Sequence, residues 1–446
     1  MPMIDKQRMP RAASQSAATS KTSPRAAATA DSLSDLKGVS RGVIDAIAGI
    51  THVVEEMHRN IAGLAPPVGA EPPGTVRGIS GFVYRSVRGV TRLVGFGLDA
   101  ILAQLPPLLK ATGSMPRRDA VVSALNGVFG DYLEESNNPL AIAMQLRVGG
   151  HPLQLVRDSL AATFPDASGR VLVLVHGLCM NDLQWKRAGH DHGAALAESH
   201  CCRALYLHYN TGLNISTNGR EFAAILEQLT EQWPVPITEL VIIGHSMGGL
   251  VARSACYYAT RSRHRWLSRL KKLISIGTPH HGAPLERAGS WVDLLLGASP
   301  YTAPFARLGR VRSAGIQDLR YGHIYDDDGP PGNSGKNGET GNSSGENGKT
   351  GNNSGKNAKI VNASPSVPLS VKCFAIAGTT QRKPAKAGGR LFGDGLVAVN
   401  SALGRPGKSD KSLAIPESRQ FICYGTNHLD LLSSREVGDQ LATWIG

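Results

Sequence analysis

Short apolar runs recur between about residue 170 and the end of the chain. They lie at 171–175, 240–243, 273–276, 371–377 and 419–424. The runs at 171–175 and 240–243 contain no polar residue, which is typical of strands buried on both faces of a parallel sheet. A helix-like stretch, 250–260, follows the second of these runs. Strands that alternate with helices predict an α/β domain with a mostly parallel central sheet.

The hexapeptide Gly-His-Ser-Met-Gly-Gly occupies positions 244–249, directly after the run 240–243. A strand, a tight turn that holds a serine and a helix are the context that a nucleophile elbow requires. Gly244 and Gly248 flank Ser246, and a Cβ at either position would crowd the turn that projects the serine hydroxyl. The alternative is a glycine-rich turn with an idle serine.

A serine nucleophile needs a base and a group that orients the base, and after an elbow the acid precedes the histidine in the chain. Asp394 lies between two glycines beyond the run 371–377, and His428 lies in the loop after the run 419–424. The sequence therefore predicts Ser246 as nucleophile, His428 as general base and then acid, and Asp394 as the carboxylate that orients and stabilises the imidazolium.

Other acids and histidines fit this order less well. The aspartates at 326–328 border a low-complexity tract and are interpreted as a solvated charge run. Asp430 is too close to His428 in sequence to orient its ring. His280 and His281 precede the acid and break the chain order.

Acyl transfer also needs two backbone N–H groups that stabilise the oxyanion. One comes from the residue after the nucleophile, Met247, and the other from the loop after an early strand. His176, Gly177 and Leu178 follow the run 171–175, and Gly177 lets the backbone turn there. We therefore predict that the amides of Leu178 and Met247 form the oxyanion hole.

These motifs resemble the α/β-hydrolase superfamily and, within it, bacterial lipases and esterases related to the PGAP1-like (GPI inositol-deacylase-like) group. The resemblance rests on His176-Gly177 with Asn181-Asp182, Tyr209-Asn210-Thr211-Gly212, 244–249, Gly277-Thr-Pro-His-His-Gly282, Asp394-Gly-Leu-Val397 with Ser401, and His428-Leu429. It covers residues 150–446 and implies hydrolysis of a carboxylic ester, with lipid esters among the candidates. It does not extend to inositol deacylation, because no feature of the sequence identifies that substrate.

Five other histidines near these motifs are interpreted as structural. His280 and His281 are expected to shape the rim of the site by hydrogen bonding, since adjacent histidines lack the i, i+4 spacing of helical metal ligands. The segment 190–192, His-Asp-His, is interpreted as a solvated turn, and His245 is expected to pack under the elbow. We therefore expect neither a metal nor another cofactor.

Two regions precede the predicted hydrolase domain at 150–446. Residues 1–31 have the composition of a disordered tail, and 32–135 are predicted to form a helical extension. The basic amphipathic part of this extension suits either a membrane surface or packing on the hydrolase domain. Within the domain, 284–325 is predicted to be a helical lid, with extra helical packing as the alternative. The polar repeat at 329–359 predicts a flexible loop.

Charge and cysteine content indicate the setting of the protein. The chain has 48 Lys and Arg against 35 Asp and Glu, a formal charge of +13, without a nucleic-acid-binding motif. This favours peripheral contact with an anionic membrane, with solubility as the alternative. Six cysteines without a C-x-x-C pair, and no visible signal peptide or long apolar stretch, predict a cytoplasmic protein. The oligomeric state stays open.

The motifs together predict a serine esterase or lipase that acts on a small-molecule acyl ester or a lipid through an acyl-enzyme intermediate on Ser246. An acyltransferase or thioesterase with the same triad is one alternative. A non-catalytic hydrolase fold that serves as a binding module is the other, and the complete Ser, Asp and His set disfavours it.

Overall fold

A computed structural model describes residues 115–282, 313–326, 367–368, 370–382, 392–405 and 413–446. The strands in these parts form one eight-stranded sheet, with the order β2-β1-β4-β3-β5-β6-β7-β8. They are β1 (Gln145–Val148), β2 (His151–Pro152), β3 (Arg170–Val175), β4 (Arg203–His208), β5 (Glu239–His245), β6 (Leu270–Ile276), β7 (Lys372–Thr379) and β8 (Gln420–Tyr424). From β4 to β8 all neighbours are parallel, whereas β1 pairs antiparallel with both β2 and β4.

Helices cover both faces of this sheet. They are α1 (Met115–Glu135), α2 (Arg157–Thr163), α3 (His192–Ser199), α4 (Ile215–Gln232), α5 (Met247–Ser262), α6 (Ala314–Tyr321), α7 (Val399–Ala402) and α8 (Arg435–Ile445). Short 3-10 turns lie at Asp182–Trp185, Arg265–Ser268, Glu417–Arg419 and Asp430–Leu432.

Alternation along β3 explains the two layers. Val171, Val173 and Val175 belong to one apolar core, which includes residues of α1, α4 and α5. Leu172 and Leu174 point to the other face and belong to a second core with residues of α3 and α8. Because both faces are covered, β3 needs apolar residues at every position, which is the pattern that its sequence has.

The predicted strands and helices lie where the apolar runs indicated. The runs at 171–175, 240–243, 273–276, 371–377 and 419–424 coincide with β3, β5, β6, β7 and β8, and the stretch 250–260 lies within α5. The strands β1, β2 and β4 were not predicted from the sequence. The sheet therefore begins at Gln145, before the predicted domain start at residue 150.

The end of the predicted helical extension is an integral part of the fold. α1 packs against the loop after β4 and the start of α6, because Asn210 Nδ2 donates to Gly130 O at 2.9 Å and Ser313 Oγ donates to Gly127 O at 2.7 Å. The predicted tail at 1–31, the rest of the extension to residue 114 and the flexible loop at 329–359 lie outside the described residues.

The predicted lid at 284–325 is described only from residue 313 onwards. This end, with α6, packs into the domain: Ile316, Leu319 and Ile324 are buried, and Asp318 accepts a hydrogen bond from the Ile215 amide at 2.8 Å. The described end of the segment is therefore a packed structural element.

Candidate active site

Ser246 lies in a strained turn between β5 and α5. Its φ of 53° and ψ of −123° are rarely adopted by a residue with a side chain, and such a conformation costs on the order of 1–3 kcal/mol. A hydrogen bond of 2.8 Å from its amide to Ile276 O anchors the turn to β6. A Cβ on Gly244 would lie 2.5 Å from Gly249 Cα, and a Cβ on Gly248 would lie 2.6 Å from His176 O. The glycines thus allow the close approach that the turn requires.

The carboxylate of Asp394 is held from both sides. Its Oδ2 lies 2.7 Å from His428 Nδ1, and its Oδ1 accepts hydrogen bonds from the amides of Leu396 at 2.9 Å and Val397 at 2.8 Å. Gly395, with φ of +99°, lets the backbone turn these amides toward the carboxylate. Because an ionised carboxylate only accepts, His428 Nδ1 carries the hydrogen and Nε2 is left with the lone pair of a base.

Ser246 and His428 lie close to the same strand end. The Ser246 amide is bonded to Ile276 O, and a Cβ on the next residue, Gly277, would lie 3.1 Å from His428 Cε1. Ser246 Oγ and His428 Nε2 are both buried and have no hydrogen-bond partner among the described residues. The arrangement therefore places a hydroxyl and an imidazole nitrogen near the end of the same strand.

The loop after β3 approaches the serine from the other side. A Cβ on Gly177 would lie 3.1 Å from Ser246 Cβ. The neighbouring amide of Cys179 is used by Thr211 Oγ1, at 3.1 Å, and Tyr209 donates from its hydroxyl to His176 O at 2.8 Å. No hydrogen bond is made by the amide of Leu178 or by that of Met247 within the described part of the chain.

Burial keeps the histidines around the site neutral. It lowers the pKa of His176 to about 3, and Nδ1 of this residue lies 2.9 Å from Gly177 O. Burial, followed by the nearby His428, lowers the pKa of His245 well below its usual value. His245 packs under the elbow with Nε2 at 3.1 Å from His428 O, as the sequence analysis expected.

His280 and His281 take part in hydrogen bonds at the end of β6. His280 Nε2 lies 3.0 Å from Ser275 Oγ and its Nδ1 lies 3.3 Å from Arg253 Nη1, while Ser401 Oγ accepts from the His281 amide at 3.2 Å. Burial, followed by the charge of Arg253, lowers the pKa of His280 well below its usual value. Among the described residues, no group of three His, Cys, Asp or Glu side chains is arranged to hold a metal ion.

The geometry can be compared with known proteins. Residues 166–299 match the family model of the PGAP1-like alpha/beta domain. The elbow lies after β5, Asp394 after β7 and His428 after β8, which is the chain order of serine, acid and histidine in the α/β-hydrolase fold. The domain has the α/β-hydrolase fold.

Among solved structures, the hydrolase domain is similar to the mature lipase BlEst2 of Bacillus licheniformis, with 17% identity and a TM-score of 0.38 over 62% of this chain and 91% of that chain. An esterase of Thermogutta terrifontis has 14% identity and a TM-score of 0.34 over 63% and 90%. The type II thioesterase BorB of the borrelidin cluster has 13% identity and a TM-score of 0.34 over 68% and 96%. No curated protein matches the chain.

Three side chains that support the candidate site were not predicted from the sequence. Thr211 and Tyr209 hold the loop after β3, and their position in the motif Tyr-Asn-Thr-Gly after β4 was the available signal. The third is His192. The prediction of a solvated turn at 190–192 was wrong for this residue, because His192 is fully buried and its Nε2 lies 2.9 Å from Leu431 O.

Proposed function

We propose that the protein is a serine hydrolase that cleaves carboxylic esters through an acyl-enzyme intermediate on Ser246. The observation that carries the proposal is the buried Asp394–His428 pair, at 2.7 Å, beside a serine in an elbow conformation. The second carboxylate oxygen of Asp394 is held by two backbone amides, so the acid is fixed independently of the histidine. Such a chain of acid, histidine and serine is the arrangement that activates a hydroxyl for acyl transfer.

In the proposed mechanism, Ser246 Oγ attacks the ester carbonyl carbon while His428 Nε2 takes its proton. The carbonyl oxygen becomes an oxyanion that accepts hydrogen bonds from the amides of Leu178 and Met247. His428 then gives the proton to the oxygen of the departing alcohol, and the acyl group remains on Ser246. Water attacks this acyl group as His428 takes one of its protons. That proton returns to Ser246 Oγ as the carboxylic acid leaves.

The carboxylate of Asp394 supports the imidazolium in both steps. It stays ionised and stabilises the positive ring, and it keeps the hydrogen of His428 on Nδ1 so that Nε2 faces the reaction. Two properties of the oxyanion donors favour their role. The Leu178 and Met247 amides have no partner among the described groups, and the loop that carries Leu178 is anchored by Thr211 and Tyr209.

We propose a small-molecule acyl ester, including lipid esters, as the substrate class. Support comes from the apolar residues next to the serine: Leu178, Met180 and Met247 are buried, and Met180 Sδ would lie 3.4 Å from a Cβ on Gly177. Apolar side chains suit an acyl chain better than a charged group.

None of the described helices is both long and apolar enough to span a membrane.

The proposal predicts that Ser246 is labelled by a fluorophosphonate probe. Wild-type protein should form a covalent adduct at Ser246 and hydrolyse p-nitrophenyl acyl esters, with an initial burst of p-nitrophenol for esters whose deacylation is slower than acylation. Ser246→Ala should abolish both signals. A matched control is Ser254→Ala in α5, a buried serine whose hydroxyl bonds to Ile324 O and does not face His428. Absence of Ser246-dependent labelling in the folded protein would refute the enzyme assignment.

A further inference from the structure

The loop that carries His428 is held by two buried imidazoles that come from elsewhere in the fold. We call residues 425–432 the histidine loop. His245 Nε2 lies 3.1 Å from His428 O, and His192 Nε2 lies 2.9 Å from Leu431 O. Backbone carbonyls only accept, so both Nε2 atoms carry a hydrogen and donate it to the loop. Two of the loop's carbonyls therefore have side-chain donors contributed by the elbow and by α3.

The other ring nitrogen of His192 is hydrogen-bonded to a second histidine, which supports the same tautomer. His190 Nε2 lies 2.9 Å from His192 Nδ1. Since His192 Nε2 carries the hydrogen, its Nδ1 has the lone pair and accepts from His190 Nε2–H. Burial lowers the pKa of His192, so the ring stays neutral near neutral pH, which is the state that this hydrogen-bond chain requires.

The element that carries His192 is itself fixed to the sheet. α3 begins at His192, directly after Asp191, whose Oδ1 accepts from the Ala194 amide at 3.0 Å and from the Tyr206 hydroxyl at 2.8 Å. Tyr206 belongs to β4. The donor that reaches Leu431 O is therefore held by an N-capped helix and by a side chain of the sheet, and its position is rigid.

Leu431 connects the hydrogen bond from His192 to two members of the proposed triad, His428 and Asp394. Its side chain is fully buried at the ends of β6 and β7, where a Cβ on Gly277 or Gly378 would lie 3.1 Å or 3.2 Å from Leu431 Cδ1. The same two glycines lie next to the proposed triad. A Cβ on Gly277 would lie 3.1 Å from His428 Cε1, and a Cβ on Gly378 would lie 2.9 Å from Asp394 Cβ. A shift of the backbone at Leu431 would thus be passed to His428 and to Asp394.

We propose that His192, with its tautomer set by His190, is a positioning residue that holds His428 in register with Ser246 and Asp394. This inference rests on the proposed function. His192 touches no reacting atom and acts through the Leu431 carbonyl. Removing its donor leaves a buried carbonyl without a partner, so the histidine loop relaxes and the base moves away from the geometry that proton transfer needs.

The test compares His192→Leu, which removes both ring nitrogens, with His192→Gln, whose amide nitrogen can reach the position of Nε2. We expect His192→Leu to lower kcat about 10–100-fold with KM changed less than about twofold, because the loss is one of alignment. His192→Gln should recover most of kcat. His190→Ala should lower kcat in the same direction but less, and it serves if the leucine variant does not fold.

The matched control is His264→Leu. His264 Nδ1 also lies at hydrogen-bond distance, 3.1 Å, from a backbone carbonyl, that of Ala223 in α4, and it precedes the start of β6 instead of following a strand end. It should lose stability without losing kcat. A fall in kcat of equal size in His264→Leu, or wild-type kcat in folded His192→Leu, would overturn the proposal.

A second readout does not depend on turnover. The proton between His428 Nδ1 and Asp394 should give a low-field ¹H NMR resonance, which we expect to shift or broaden in His192→Leu and to stay in place in His264→Leu. If the resonance is unchanged in His192→Leu, the positioning role is wrong. If the resonance responds but wild-type protein neither labels at Ser246 nor hydrolyses esters, the proposed function fails and the structural coupling stands.

Discussion

Ser246 and His428 each keep one buried polar atom that has no hydrogen-bond partner among the described residues. Buried hydroxyl and imidazole groups are normally hydrogen-bonded, because an unpaired one costs about 1–3 kcal/mol. Ser246 Oγ and His428 Nε2 belong to a larger set of such atoms among the described residues, and they are the two that the proposed reaction uses. By contrast, each carboxylate oxygen of Asp394 has a partner.

Replacing Asp394 by Asn should leave the fold intact and lower kcat about 10⁴-fold, as an amide cannot hold the correct tautomer of His428 or stabilise its charge. Steady-state hydrolysis of a p-nitrophenyl ester measures the loss. Asp430→Asn is the comparison. Asp430 is closer to His428 in sequence than Asp394 is, but its carboxylate is half-exposed and pairs with Arg187 at 3.4 Å. Equal losses in the two variants would contradict the assignment of the acid.

At the scale of elements, α1 and the loop after β3 behave as one unit. Gly127 of α1 lies against Cys179, which is two residues beyond Gly177 and has a φ of +59°. Cys179 also donates its amide to Thr211, so the loop that carries Leu178 is enclosed by a helix on one side and by the loop after β4 on the other. A helix outside the predicted hydrolase domain thus packs against the loop that carries Leu178.

Gly127→Ala tests this packing. Alanine is favoured over glycine inside a helix by about 1 kcal/mol, so intrinsic propensity predicts a gain in stability. An added Cβ would overlap Cys179 Sγ and lie 3.0 Å from Cys179 Cα, so we expect instead a loss of about 1–3 kcal/mol in the free energy of unfolding. Urea denaturation measures it. Gly438→Ala in α8, where the nearest atom would be 3.4 Å away, should cost nothing; a gain in both variants would disprove the contact.

At the scale of the whole molecule, the hydrolase domain buries several neutral histidines. Burial lowers the pKa of His176, His192, His245 and His280, to about 3 for His176. Each of the four contacts another segment of the chain: His176 stacks on Tyr209, and the other three lie at hydrogen-bond distance from Leu431, His428 and Arg253, respectively. The stability of the fold is therefore coupled to pH through the same residues that organise the site.

The free energy of unfolding should fall as the pH drops below about 6.5. In the unfolded chain these histidines take up protons near pH 6.5, whereas in the folded state they stay neutral to lower pH. The unfolded state then binds more protons, and each histidine lowers stability by up to about 1.4 kcal/mol per pH unit until its folded-state pKa is reached. Above about pH 6.5 these rings are neutral in both states and add no slope.

Urea denaturation at about pH 7.5 and about pH 5.5 measures this dependence. His176→Asn can keep a donor to Gly177 O but does not titrate in this range. The variant should therefore lose the part of the pH dependence of the free energy of unfolding that one histidine contributes. Equal free energies of unfolding at the two pH values would show that the histidines protonate in the folded state as readily as in the unfolded one.

The sequence by itself determined the central strands, the elbow and the order of the candidate triad. These follow from local rules: an unbroken apolar run predicts a strand buried on both faces, and the strand ends of a parallel sheet meet at one edge. Ser246, Asp394 and His428 each follow a predicted strand, so their convergence could be predicted without knowing any contact. β4 escaped prediction because Tyr206 and His208 interrupt its apolar run.

Only the tertiary structure decided which elements meet around those strand ends. The pattern 190–192 has the local composition of an exposed turn, yet His192 is buried because α8 and the histidine loop cover it. In the same way, nothing in the sequence of α1 indicates that Gly127 faces Cys179. Periodicity reports how much of an element is buried, whereas the partner that buries it is chosen by packing between segments far apart in the chain.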